Sequence, residues 1–136
     1  MTRFDLWSRY VARSKRPILI GPWREEIGSE VLYWLPWLAH WRHHYQIAKD
    51  RLIAISRGGA SCWYDAGKSV ELYDYVPAQD LRLEILRNQQ QTQSVKPTQP
   101  SAWDTKFYAL IAERLGLRRY HVLHPSAMYA AIKPWT

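Results

Sequence analysis

The chain has 136 residues, enough for one hydrophobic core, and its 19 lysines and arginines against 12 acidic residues give a formal charge of +7. The single cysteine, Cys62, excludes an internal disulfide and a thiolate zinc site and fits a reducing, cytoplasmic compartment. No charged-then-apolar export signal opens the chain, and the longest apolar run, 31–39, is far short of the roughly 20 residues that cross a bilayer.

The predicted elements begin with a basic amphipathic helix over 1–16. Arg3, Arg9, Arg13, Lys15 and Arg16 are opposed there only by Asp5, and Phe4, Trp7, Tyr10 and Val11 recur at helical spacing. Such a stripe packs on its own domain or lies on an anionic membrane. Residues 17–22 read as a short buried strand bounded by prolines and Gly21. Ser29 is the expected N-cap of the next helix, whose inward stripe is Val31, Leu32, Leu35, Leu38 and Trp41, with a kink expected at Pro36.

Residues 51–56 form a second apolar run, stopped by Gly58 and Gly59, and 70–75 a weaker third. A helix over 78–93 should turn Leu81, Ile85 and Leu86 inward. The polar stretch 88–100 reads as a flexible connection. Ser101 is placed to cap a helix with Asp104 in its first turn, Phe107, Leu110, Ile111 and Leu115 inward and Gly116 as its stop. Residues 120–123 make a fourth strand, and 126–135 start a last helix with Met128, Ile132 and Trp135 apolar. Strands alternating with helices, none with clean polar alternation, predict an α/β, Rossmann-like three-layer domain with a short, mainly parallel sheet.

In such sheets ligands bind beyond the carboxyl ends of the strands. The segment after the first strand holds Glu25, Glu26 and Glu30, which can accept a proton, grip sugar hydroxyls or simply favour the helix N-terminus. It is neither a GxGxxG fingerprint nor a Walker loop, and three acids repel phosphate, so no nucleotide cofactor is expected from it. After the second strand, Gly58 and Gly59 allow close backbone approach, Arg57 offers a fork for phosphate or carboxylate, and Trp63 with Tyr64 can stack on a sugar or base. A tight turn with a solvated Arg57 accounts for the same residues.

His124 follows the fourth strand, where a histidine can serve as a base, although a lone histidine is more often structural. His40 and His44 share a helix face without the Glu of a metalloprotease motif, so no metal is expected, and Cys62 has no adjacent base to make it a nucleophile.

The strings Gly21-Pro22-Trp23, Glu26 through Pro36, Ser56-Arg57-Gly58-Gly59, Trp63-Tyr64 and His124-Pro125-Ser126 with Met128-Tyr129 resemble the N-terminal part of poorly characterised bacterial glycosyltransferase-like proteins. The resemblance spans residues 17–135 and implies a GT-B arrangement, two Rossmann-like domains facing across a cleft. It implies that this chain is the acceptor-side half of a longer two-domain protein, the nucleotide-sugar donor being bound by a missing C-terminal domain or a partner chain. Carried over, the loop from Gly21 through Gly28 to Glu30 lines the cleft, with Glu26 as proton acceptor or acceptor grip, and Arg57, Gly58 and Gly59 face it.

The remaining readings are a non-catalytic sugar- or nucleotide-binding module of the same fold and a module peripheral to the inner face of the membrane through 1–16. A nucleic-acid binder is disfavoured, because no recognisable reading helix or RNA-binding aromatic signature is present.

Overall fold

The computed structural model describes residues 1–92 and 100–132. Four strands, β1 (Ile18–Ile20), β2 (Leu52–Ser56), β3 (Lys68–Glu71) and β4 (His121–Leu123), form one sheet in the order β3-β2-β1-β4, and every pairing is parallel. The helices are α1 (Arg3–Arg13), α2 (Ile27–Ser29), α3 (Leu35–His44), α4 (Ala78–Thr92), α5 (Ala102–Leu115) and α6 (Ser126–Ile132).

The pleat explains the two cores. Ile18, Ile20, Leu52 and Leu123 point to one face and pack with Val11, Trp34, Leu38, Trp41 and Met128 from α1, α3, α6 and the turn before α3. Leu19, Ile53, Ile55 and Val70 point to the other and pack with Leu81, Phe107, Tyr108 and Ile111 from α4 and α5. The expected α/β three-layer domain is thus realised, with the central strands β1 and β2 buried on both faces and therefore almost wholly apolar.

Several boundaries differ from expectation for identifiable reasons. The helix after β1 starts at Ile27 with Glu26, not Ser29, in the cap position, and Ser29 lies inside it making no capping bond. Residues Glu30–Trp34 then form a π-helical turn leading into α3, with the Leu35 N–H donating to the Glu30 carbonyl. Pro36 has no N–H and its ring crowds the preceding turn, and a wider turn there accommodates it. The extra residue rotates the helix face. Val31 and Leu32 are exposed instead of inward, together with Ile27 and Tyr33, while Glu30, Trp34, Leu38 and Trp41 are buried.

On α1, Tyr10 is exposed rather than inward, and the buried place goes to Ser8, which accepts from the Trp41 indole N–H at 3.0 Å. β3 begins two residues before the expected 70–75 and gives way to a 3₁₀ turn at Leu72–Asp74. Its exposed Lys68 and Ser69 sit on a sheet edge, where backbone pairing to β2 alone makes the strand. α4 runs to Thr92, so the connection expected over 88–100 starts no earlier than residue 93, and 93–99 lie outside the described residues. Leu86 faces solvent on α4 and Glu84 takes the inward place.

Ser101 and Asp104 form a reciprocal capping box and Gly116 caps α5 in the left-handed region, as expected. Met128 of α6 is buried, whereas the Ile132 side chain and Trp135 lie outside the described residues.

Candidate functional site

The sheet order places the topological switch point between β1 and β4, where doubly wound folds bind nucleotides. Side chains fill that place here. Arg24, four residues beyond β1, reaches Asp104 at the start of α5 (Nη2 to Oδ2, 3.5 Å), and His124, one residue beyond β4, reaches the same oxygen from Nε2 at 3.2 Å. All three side chains are at most 4% exposed. Nδ1 of His124 accepts the Ser126 N–H at 3.0 Å, which puts the proton of the neutral ring on Nε2, facing Asp104.

Nδ1 is thereby hydrogen-bonded, while Nε2 lies against the Asp104 carboxylate without a hydrogen bond among the described residues, so that His124 packs β4 onto α5. Burial pushes the Asp104 carboxyl up, but the His124 contact, the Arg24 charge and the Ser101 N–H outweigh it and hold it below the usual range. Arg24 also lies over the Trp103 ring at 5.2 Å.

Gly21 belongs to this scaffold. It sits at φ +95°, a Cβ there would meet the Ile55 carbonyl oxygen at 2.8 Å, and its own carbonyl accepts from the Tyr108 hydroxyl. The glycine therefore lets β1 leave the sheet against β2.

The open site lies one strand over, beyond the ends of β1 and β2. A cavity of about 290 Å³ is lined by Glu30, Arg57, Gly58, Gly59, Trp63 and Tyr73, together with Ile27, Ala60 and Cys62. The π-helical turn brings Glu30 inward to its wall, 1% exposed, where Oε2 accepts from the Tyr64 hydroxyl and Oε1 has no partner among the described residues. Burial raises the pKa of Glu30 against the opposing pull of the Tyr64 hydrogen bond and the Arg57 charge. Tyr64 is pushed up in turn, by burial and by the carboxylate it serves. Trp63 and Tyr73, 45% and 42% exposed, offer two aromatic edges at the mouth.

The cationic and amide groups of the cavity are already committed. The Arg57 guanidinium donates to the Arg24 carbonyl at 2.9 Å and to the Glu25 carbonyl, clamping the loop after β1. Gly58 and Gly59, both left-handed at φ +64° and +80°, point their N–H groups at Glu71, whose Oε1 and Oε2 accept at 2.7 and 3.2 Å. Glu71 itself lines a wider hollow of about 400 Å³, beside Ser56, Ser61, Lys68 and Asp74. A smaller hollow of about 110 Å³ behind Trp63 and Tyr64 is mainly apolar, and its two charges, Arg42 and Asp65, pair at 3.1 Å.

Of the residues singled out in the sequence, the fold thus gathers Glu30, Arg57, Gly58, Gly59 and Trp63 around one cavity and sets Tyr64 behind Glu30. It keeps four others apart, Gly21 being held in the scaffold against the Ile55 carbonyl. Glu26 is exposed at the helix cap and offers its carbonyl to the Trp23 indole at 3.0 Å, Gly28 is exposed on α2, and His124 is buried at the switch point. Tyr73 and Glu71 were not anticipated. Their sequence signal is position alone, at the end of an edge strand of mixed polarity and just after it. Among the described residues no group of three His, Cys, Asp or Glu side chains could hold a metal ion. Nor is any helix of the described residues long and apolar enough to cross a membrane. No protein-family model, curated protein or solved structure matches this chain.

Proposed function

We propose that the chain is a carbohydrate-binding α/β domain that receives a sugar acceptor in the Glu30 cavity, acting as the acceptor side of a glycosyltransferase-like enzyme completed by a second domain or partner chain. The observation that carries this reading is the chemistry left free in the cavity. Its anion-binding groups serve the protein itself: the Arg57 fork is spent on two carbonyls and the Gly58 and Gly59 amides on Glu71. What remains is a buried carboxylate with one unpartnered oxygen beneath two exposed aromatic edges. That set suits a neutral polyol, whose hydroxyls donate to carboxylate while its C–H faces stack on aromatic rings. It does not suit a phosphate, which Glu30 and Glu71 would repel.

Glu30 replaces Glu26 as the residue for catalytic work. A carboxylate whose pKa is raised by burial takes up a proton more readily than a solvated one, the property a general base for an acceptor hydroxyl needs. Glu26, at the solvent-exposed cap, has no such environment. The resemblance of residues 17–135 to glycosyltransferase-like proteins supplies the word sugar; the cavity supports the class polyol by its own residues. A non-catalytic sugar-binding module uses the same cavity, and Glu30→Gln separates the two: it weakens acceptor binding in either case, but only the loss of a base also abolishes transfer by the completed enzyme at saturating acceptor.

Saturation-transfer NMR of the intact chain with a panel of neutral saccharides tests the reading. Binding by at least one saccharide, removed by Trp63→Ala and weakened by Glu30→Gln, is expected; indifference of every saccharide signal to both substitutions contradicts it.

A further inference from the structure

We infer that the outward face of α1 is a docking surface for anionic phospholipid headgroups. The helix buries Val11 and Ser8 and half-buries Phe4 and Trp7 against α3, with Trp7 stacked on Trp41 and the Tyr45 hydroxyl donating to Asp5 at 2.6 Å. At 100° per residue, the opposite face therefore carries Arg9, Arg13, Leu6, Tyr10 and Arg3, in that order around the helix. All five are exposed, and Leu6 and Tyr10 are each 56% exposed. That face sets two exposed apolar side chains, Leu6 and Tyr10, among three arginines.

Charge complementarity identifies the occupant. Within residues 1–16 five cations face one acid, and that acid, Asp5, is turned toward Tyr45 and Arg9 (3.5 Å). Arg3 and Arg13 have no acidic partner among the described residues, and exposed Lys15 extends the same basic margin. Between Arg9 and Arg13 on one side and His44 on the other lies an open hollow of about 250 Å³, room for a phosphate headgroup beside the arginines.

Apolar side chains set among cations match a bilayer surface, where Leu6 enters the acyl boundary and the arginines stay at the phosphates. A nucleic acid would use the cations and leave Leu6 idle. The surface involves none of the residues lining the Glu30 cavity, so it stands or falls apart from the acceptor site.

Co-sedimentation of the full chain with vesicles of equal phosphatidylcholine and phosphatidylglycerol tests this, with pure phosphatidylcholine vesicles and a DNA duplex as comparisons. Wild type should pellet with the mixed vesicles and not with phosphatidylcholine alone, and should be released near 1 M salt, where screening acts over about 3 Å. Each of Arg3→Gln and Arg13→Gln should weaken binding about fivefold. Leu6→Gln should weaken vesicle binding several-fold without changing duplex binding.

All three sites face solvent, so unchanged urea melts are expected and are checked alongside. Arginine variants that bind vesicles like wild type overturn the inference. So does wild-type binding that survives high salt, or a duplex bound as tightly as the vesicles with Leu6→Gln without effect on either.

Discussion

Replacing Asp104 by Asn is expected to cost about 3–5 kcal/mol of folding stability. The carboxylate lies against Arg24 at 3.5 Å and His124 at 3.2 Å and accepts the Ser101 N–H at 2.8 Å, with its side chain 1% exposed. Asn keeps an acceptor for the cap, whose complete loss would be worth about 1 kcal/mol. What disappears is the negative charge, and Arg24, equally buried, is left without an ion-pair partner among the described residues, with the Trp103 ring still beneath it. Removing one partner of a buried pair leaves an uncompensated charge, and that is the larger effect. For a domain whose net stability is about 5–15 kcal/mol, the loss is a large fraction of the whole.

Urea unfolding followed by circular dichroism measures it, with the slope expected to stay unchanged. The pH dependence supplies a second check. The Asp104 carboxyl is held below its unfolded value, so the folded state binds fewer protons, and the stabilisation is complete above the unfolded pKa and lost as pH falls through the folded one. Wild type should therefore weaken below about pH 4, the unfolded carboxylate value, and the variant should show a shallower acid profile. A loss under about 1 kcal/mol, or parallel acid profiles, would refute the assignment of Asp104 as the centre of this buried network.

Three further outcomes are expected. Gly21→Ala places a Cβ 2.8 Å from the Ile55 carbonyl oxygen at φ +95° and should cost about 2–3 kcal/mol, read by the same melts. Glu71→Ala frees the Gly58 and Gly59 N–H groups from their carboxylate and should speed hydrogen exchange at those two amides well above the change elsewhere. Glu30→Gln should melt at or above wild type at neutral pH. The Glu30 pKa is raised, so the folded state holds its proton longer; ionisation costs stability as pH rises, and the advantage of Gln should vanish in acid. A Glu30→Gln protein less stable at neutral pH than in acid, relative to wild type, would contradict the burial of that carboxylate.

The layers and the site were legible to different degrees, for physical reasons. Runs such as Ile18 to Ile20 and Leu52 to Ser56 announce strands buried on both faces, because every position on them meets a helix layer. The capping pair Ser101 and Asp104 and the stop at Gly116 are local chemistry and are readable as such. The stripe on the helix after β1 misled because its period is broken: a π-helical turn ahead of Pro36 shifts the face by one residue, burying Glu30 and exposing Val31 and Leu32.

That same shift decides the site. Three glutamates in one short segment are indistinguishable as letters, and the wide turn is what buries Glu30 while Glu26 stays in solvent. Arg57 is committed to the Arg24 and Glu25 carbonyls of the loop after β1, and the Gly58-Gly59 amides to Glu71, 13 residues beyond Gly58 across the β2–β3 pair, and no local pattern reports either. The Arg24, Asp104 and His124 network was opaque for a related cause, since its members come from three separate elements and meet only where the switch point closes.

The most direct test of the acceptor-site account is an amide-resolved NMR titration of the intact chain, with a binding neutral saccharide and with inorganic pyrophosphate in parallel. The account predicts that the saccharide shifts resonances of Glu30, Trp63 and Tyr73, and that Glu30→Gln suppresses those shifts while pyrophosphate leaves Gly58 and Gly59 undisturbed. Displacement of Glu71 by pyrophosphate, seen as large shifts at the Gly58 and Gly59 amides with no saccharide response, would contradict it and make the cavity an anion site.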